Sequence, residues 1–307
     1  MKKIFIDGSV GTTGLQIHER LKKRQDILLL RLDESERKNN ASRKKIFNES
    51  DIVFFCLPDA AAIEATDLVE NPNTVIIDTS TAHRTCENWT YGLPELQNQR
   101  ELIKNSKRIA NPGCHATGFI ALIAPLIENN IIDPEIKLSS FSITGYSGGG
   151  KKMIAEYENS ERDNLLDAPR QYALTQNHKH LPEMKKFCGL KNDPIFCPIV
   201  SDYYSGMEVT VPIHKSDLKN GDVNSIKEVY KSYYQNGLIK FSDKNENGFL
   251  SSGKLSGRDD MLINVTGNDD RILLISRFDN LGKGASGAAV QNMNLVLGIN
   301  EFESLNY

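Results

Sequence analysis

No apolar run in this 307-residue chain approaches the roughly 18 residues that a membrane-crossing helix needs, so no such span is expected. Basic charge is not in excess either. The 37 Lys and Arg against 40 Asp and Glu leave a net charge of −3 and no concentrated stripe for a nucleic-acid duplex. The most basic stretch, Arg31 to Lys45, is interrupted by Asp33, Glu34 and Glu36 and reads as a solvated helix face. Cysteines number five, an odd count without metal-type spacing. That disfavours a disulfide framework and suits a reducing, cytoplasmic setting. Cys56, Cys188 and Cys197 read as packing residues. The apolar part of Met1-Lys2-Lys3-Ile4-Phe5-Ile6 is too short for a signal peptide. Internal repeats and low-complexity linkers are absent, and Asn245 to Gly257, rich in Asn, Ser and Gly, reads as a long flexible loop.

What is present describes an ordinary globular protein, 39% hydrophobic and 25% charged, long enough for about two domains. Over the first hundred residues, apolar strand patterns at Lys3 to Asp7, Ile27 to Leu32, Asp51 to Leu57 and Val75 to Asp78 alternate with helix patterns. The helices are expected at Thr12 to Lys23 and Ala60 to Val69. Continuous apolar strands separated by helices predict a doubly wound α/β domain on a parallel sheet. Past Cys114, β-prone segments dominate: Leu138 to Thr144, Pro194 to Val200, Met207 to Ile213, Met261 to Val265 and Arg271 to Ser276. They predict an α+β domain on a mostly antiparallel sheet. A small-residue helix pattern, Lys283 to Met293, comes near the end of the chain.

Four segments could carry chemistry. In Asn111-Pro112-Gly113-Cys114-His115, a cysteine follows a Pro-Gly turn and precedes a helix pattern, Ala116 to Glu128. The N–H groups of a helix start favour a thiolate, and the thiolate is the nucleophile. Gly8-Ser9-Val10-Gly11-Thr12-Thr13-Gly14 links the first strand to the first helix, where doubly wound folds hold a dinucleotide pyrophosphate. At the end of the second strand, Arg31 with Ser35 favours NADP and Asp33 favours NAD. In Asn177-His178-Lys179-His180-Leu181-Pro182-Glu183, two histidines at i and i+2 of an extended segment point the same way. No Cys/His pair completes a metal site there, so one histidine is expected as general acid/base, oriented by the other or by Glu183. His18 and His214 read as structural. Two further loops read as anion sites: Thr144 to Lys152, with Ser147 and Lys151, and Asp78 to Arg84, whose Arg84 could fork a carboxylate or phosphate.

Together these segments resemble the N-acetyl-γ-glutamyl-phosphate reductases of arginine biosynthesis, in their shorter form. The similarity runs through Phe5 to Gly8, Gly11 to Ile17, Tyr91-Gly92-Leu93-Pro94-Glu95, Asn111 to Cys114, His178 to Glu183, Asp279-Asn280-Leu281 and Lys283 to Gln291. The resemblance implies an NADPH-dependent reductive dephosphorylation in which Cys114 carries an acyl thioester. It favours His178 slightly over His180 as the assisting base. It places Ser147, Lys151, Arg84 and Glu183 around the substrate, and Gly8, Gly11, Thr12, Thr13, Gly14, Arg31, Ser35 and Asn280 around the cofactor. It also returns the terminal helix to the first domain. The division becomes 1–113 plus 281–307 for dinucleotide binding and 114–280 for catalysis and oligomerisation, in a homo-oligomer acting on a small molecule. One departure stands out. The family usually carries Tyr or Phe after the cysteine, and this chain has His115. A side chain one residue along a helix points elsewhere, so His115 is expected to alter the cleft wall without replacing the catalytic histidine. An aspartate-semialdehyde dehydrogenase would share the Cys-His chemistry. A cysteine hydrolase or a non-catalytic dinucleotide-binding protein would each leave one of the motifs without a use.

Overall fold

In the computed structural model, which describes all residues from Met1 to Tyr307, the alternation of the first hundred residues becomes a six-stranded parallel sheet. Its elements in chain order are β1 (Lys2–Asp7), α1 (Thr12–Leu21), β2 (Ile27–Leu29), α2 (Asn40–Glu49), β3 (Ile52–Phe55), α3 (Asp59–Asp67), β4 (Val75–Asp78), β5 (Thr90–Tyr91), α4 (Gln99–Asn105) and β6 (Arg108–Ala110). The strand order is β2-β1-β3-β4-β6-β5. Side chains alternate across a strand, so each apolar run feeds two cores. Ile4, Ile6, Ile52, Phe54 and Ile77 face one core with Ile17 and Leu21 of α1 and Ile103 of α4. Phe5, Val53, Phe55 and Ile76 face the other, with Ile46 and Phe47 of α2 and Ala65 of α3. A closing helix, Gly287–Leu297, brings Ala289, Val290 and Met293 into the first core.

Two expectations are corrected in this unit. The second strand stops at Leu29, and Leu30 and Leu32 pack beyond it as loop residues against the second core. The basic stretch Arg31 to Lys45 is not a solvated helix face. It is a loop followed by α2, and Arg43 of that helix is buried, donating from Nε and Nη2 to Asp7 Oδ2 at 3.1 and 2.7 Å. Burial pushes the Asp7 carboxyl up, and the guanidinium opposes that shift.

The chain forms two compact units: Met1–Pro112 with Ala285–Leu305, and Gly113–Gly284 with Asn306–Tyr307. The second contains α5 (Cys114–Glu128), β7 (Ser139–Gly145), α6 (Gly150–Tyr157), β8 (Arg170–Gln171), α7 (Leu181–Cys188), β9 (Ile195–Ser201), β10 (Met207–His214), α8 (Val223–Tyr233), β11 (Ile239–Phe241), β12 (Met261–Gly267) and β13 (Arg271–Phe278). Its sheet runs β11-β12-β13-β10-β7-β9-β8. The pairs β7/β9 and β11/β12 are parallel and the remaining four antiparallel. Helix α5 is apolar nearly all round and is buried from His115 to Leu126, as such a helix must be. Asn245 to Gly257 is a loop, fastened where Glu246 receives Arg277 Nη1 at 2.8 Å.

Candidate active site

The nucleophile candidate sits at a helix start. Cys114 is the first residue of α5, two positions earlier than its sequence pattern indicated, and extended Gly113 (φ −79°, ψ 147°) precedes it. Gly113 accepts the Thr117 N–H at 2.8 Å, which closes the first turn around the cysteine. Backbone N–H groups at that end bias the thiol toward thiolate. Gly284 lies against the cysteine: a Cβ there would fall 2.8 Å from Cys114 Cβ.

The histidine segment is not extended as its i, i+2 pattern suggested. The chain turns at Lys179-His180, and His180 (φ −87°, ψ −14°) caps α7, with Pro182 in the first helical turn. The rings still meet, because the turn brings them edge to face with centroids 4.7 Å apart. The His180 N–H donates to His178 Nδ1 at 3.2 Å. Glu183, one helical turn on, is 1% exposed. Its Oε2 accepts the Gly113 N–H at 3.2 Å, and its Oε1 lies 3.9 Å from His180 Nε2. His115, on the other side of Cys114, is also buried against this segment, with ring centroids 5.9 Å from His178 and 5.5 Å from His180. Both chain neighbours of the cysteine are therefore tied to the segment that carries the two histidines. Where a substrate contact is expected of Glu183, the structure shows a buried carboxylate holding the turn before Cys114.

The remaining residues of the second unit are placed as follows. Ser147 is buried beyond β7, and its Oγ accepts Asn280 Nδ2 at 3.0 Å. Asn280 Oδ1 in turn accepts the Gly206 N–H at 2.8 Å, so this amide joins two loops. Lys151, in the first turn of α6, is exposed. Asp279 Oδ1 accepts the N–H groups of Leu281 and Gly282 at 2.7 and 3.0 Å, a pin that sequence reasoning missed. It also missed Tyr172 and Ser142, which hydrogen-bond His115.

In the first unit, the turn after β1 is built for close backbone approach. Gly8 has φ +81°, and a Cβ there would fall 2.2 Å from the Cys56 carbonyl oxygen; at Gly14 it would fall 2.4 Å from the Gly8 oxygen. Gly11 precedes α1 without a side-chain cap, leaving the first N–H groups of that helix for an anion. Thr12 Oγ1 is buried with no hydrogen-bond partner. A buried hydroxyl in that state is costly unless something fills the turn and bonds it, so these residues fit a dinucleotide phosphate. Thr13 follows it in the same turn of α1. Arg31 is drawn over α1 by His18, Nη2 to Nε2 at 3.1 Å. Ser35 lies exposed in the short helical turn Glu34–Glu36. Arg84 is not displayed as an open fork. It is buried, donating from Nε to the Asn111 carbonyl at 3.0 Å and from Nη2 to the Thr79 carbonyl at 3.1 Å, which ties the exit of β6 to that of β4. Beside it, buried Asp78 holds Ser80 Oγ and His83 Nδ1, each at 2.7 Å, and His83 stacks on Trp89.

Known proteins match this arrangement along almost its whole length. The family model for the semialdehyde dehydrogenase NAD binding domain matches residues 3–106, and that for the semialdehyde dehydrogenase dimerisation domain matches residues 114–280. N-acetyl-gamma-glutamyl-phosphate reductase 2 of Nostoc sp. is 41% identical over 97% of this chain and 98% of its own length. The N-acetyl-gamma-glutamyl-phosphate reductase of Sinorhizobium medicae is 42% identical over 96% of this chain and 98% of its own. Among solved structures, aspartate semialdehyde dehydrogenase II of Vibrio cholerae superposes with a TM-score of 0.74 at 16% identity, covering 97% of this chain and 98% of that one, which shows a shared fold. With its Cys-His segments in place and two-fifths of its residues shared over full length, the chain belongs to the N-acetyl-γ-glutamyl-phosphate reductase family.

Proposed function

We propose that this protein reduces N-acetyl-L-glutamyl 5-phosphate to N-acetyl-L-glutamate 5-semialdehyde with NADPH, a step of arginine biosynthesis. The observation that carries the reading is the attachment of both neighbours of Cys114 to the His178–Glu183 segment. Cys114 attacks the acyl carbon, expels phosphate and holds the acyl group as a thioester. Bound NADPH supplies the hydride that reduces the thioester carbon. His180, buried with its Nε2 toward Glu183, takes the thiol proton on its other ring nitrogen and returns it to the sulfur as the aldehyde departs. This assignment reverses the slight preference for His178 drawn from family resemblance. His178, half-buried beside it, then serves the leaving phosphate together with Ser147 and Lys151. Arg84 shapes the segment leading to the nucleophile, and Asn280 sets Ser147.

Gly8, Gly11, Thr12, Thr13 and Gly14 hold the pyrophosphate, and Arg31 and Ser35 the 2′-phosphate that distinguishes NADP. Gly8→Ala is expected to weaken NADPH binding by roughly tenfold or more, because the turn cannot keep its positive φ or its distance from Cys56. Fluorescence titration with NADPH checks this, and unchanged binding would remove the turn from the cofactor site. The division of labour follows: 1–113 with 281–307 binds the dinucleotide, and 114–280 carries catalysis and assembly. Phe141, Ile195 and Leu273 lie exposed on the strands of the second sheet. That apolar face supports a homo-oligomer. Five cysteines, none of them in a disulfide, suit the cytoplasm.

Substrate identity is tested in reverse, by phosphate-dependent NADP reduction with N-acetylglutamate semialdehyde and with aspartate semialdehyde. The first is expected to give a kcat/KM on the order of 100-fold higher, since a polar pocket made for one substrate leaves groups unpaired with the other. A preference for aspartate semialdehyde would give the chain the other substrate.

A further inference from the structure

Ser147 rests on two supports. Its backbone runs beside the loop that follows β9: the N–H groups of Gly145, Tyr146 and Ser147 donate to the carbonyls of Gly206, Tyr203 and Tyr204 at 3.0, 2.9 and 3.0 Å. The Asn280 amide closes the same pair of loops through Ser147 Oγ and the Gly206 N–H. The loop after β9 is carried in turn by Asp279, which is 2% exposed and directly follows β13. Asp279 Oδ2 accepts the Ser205 hydroxyl at 2.9 Å and the Gly257 N–H, while Oδ1 holds Leu281 and Gly282. A hydroxyl has one proton to give, so the Ser256 hydroxyl, 2.5 Å from Ser205 Oγ, is the donor of that pair. The Tyr203 hydroxyl donates to Ser252 Oγ at 2.8 Å, and a Cβ on Gly206 would fall 2.6 Å from the Ser252 carbonyl oxygen. The run Ser251 to Gly257, flexible by composition, is therefore fastened to the loop that supports Ser147.

We infer that Asp279 is a positioning residue that sets Ser147 for the phosphate of the acyl phosphate, by holding Ser205 and with it the loop 202–206. Four donors, from Ser205, Gly257, Leu281 and Gly282, meet on its two oxygens. A carboxylate has about four lone-pair sites, so none is left for substrate and Asp279 acts only through its neighbours. Ser147 is the end of the chain that meets the ligand. Its oxygen accepts from Asn280, so its own proton remains to be given, and a phosphate oxygen is an acceptor. The run Ser251 to Gly257 belongs to the same support, through Ser252, Ser256 and Gly257. The inference rests on the reading that Ser147 meets the phosphate, and not on the identity of the acyl group.

The test is the KM for inorganic phosphate in the reverse direction, NADP reduction with saturating aldehyde. It is measured in Ser147→Ala, Ser205→Ala, Ser205→Thr, Asp279→Asn and the Ser147→Ala/Ser205→Ala double variant. Ser205→Ala removes one half-buried hydroxyl. It is expected to raise the phosphate KM about fivefold, the worth of about one hydrogen bond, with kcat and the aldehyde KM within about twofold. Ser205→Thr, which keeps the hydroxyl, should restore the wild-type value. Asp279→Asn gives up a charge and an acceptor and should raise the phosphate KM about tenfold. Ser205→Ala decides the matter if that buried substitution prevents folding. In the Ser147→Ala background Ser205→Ala should add nothing, since it acts through the same residue. A phosphate KM unmoved in Ser205→Ala but raised in Ser147→Ala overturns the inference, as do single effects that multiply in the double variant. A phosphate KM unmoved in Ser147→Ala removes Ser147 from the phosphate site and the inference with it, so the two failures read apart. Phosphate is common to both candidate aldehydes, so the measurement stands whichever one the protein prefers.

Discussion

Cys114→Ala is expected to lower turnover by on the order of 10⁴-fold or more while NADPH binding stays within about twofold of wild type. The size follows from what alanine removes. On the mechanism proposed above, no thioester forms without sulfur, and the His180–Glu183 pair has no thiol to deprotonate. Groups that act as a unit lose nearly everything when one member goes. The dinucleotide turn, Gly8 to Gly14, belongs to the other unit and keeps its own contacts. The decisive measurements are single-turnover reduction and NADPH titration of the same preparation. Retained turnover would remove Cys114 as the nucleophile. Loss of both binding and turnover would instead indicate a misfolded variant, which Cys114→Ser, closer in size and polarity, would separate from a chemical defect.

Acid is expected to weaken the fold through His115. In the unfolded chain this imidazole titrates near 6.5, whereas in the native protein burial, reinforced by His178, holds it at about 3. Above 6.5 the ring is neutral in both states and the fold carries no penalty. Below 6.5 the unfolded chain takes up a proton that the native protein refuses, so stability falls with falling pH until about 3. The loss is about 2 kcal/mol at pH 5 and about 4 kcal/mol at pH 3, at 1.36 kcal/mol per unit. Asp7 works in the opposite sense. Its carboxyl is raised by burial, so the native state gains relative stability as that group protonates. His115→Phe separates the two. Between pH 7 and pH 5, wild type should lose about 2 kcal/mol more than the variant in urea titrations. Equal losses would mean that native His115 accepts a proton after all.

Much of this was readable before any coordinates, for reasons that differ from element to element. The β1–turn–α1 unit announces itself because close backbone approach demands glycine at Gly8 and Gly14, and glycine is visible in a sequence. The helix of Cys114 is legible because an unbroken apolar run follows a Pro-Gly turn. Helix α2 was hidden: its apolar members Ile46 and Phe47 are adjacent, and its third buried residue, Arg43, is charged. No periodicity rule anticipates a guanidinium facing inward, since the reason for it is Asp7, 36 residues upstream. Strands β5 and β6 span two and three residues, too few for any pattern. At the candidate site, the histidine pair and Glu183 beside it were legible, and the longer-range contacts were not. Glu183 reaches back 70 residues to Gly113, and His115 reaches forward 57 to Tyr172. Such pairings are set by how α5 packs beside α7 and the second sheet, which composition does not encode.

The closing helix has a consequence for how the protein is made. Ala289, Val290 and Met293 complete the core on one face of the first sheet, against Ile4, Ile6 and Ile77. The ribosome emits the whole second unit between these two halves. The amino-terminal strands therefore emerge with that face covered only in part, by α1 and α4, and must wait through synthesis of residues 113–284 for their last wall. During that interval they are a nascent segment exposed to chaperones, and a message truncated before Gly287 would release a chain that can never finish its first core.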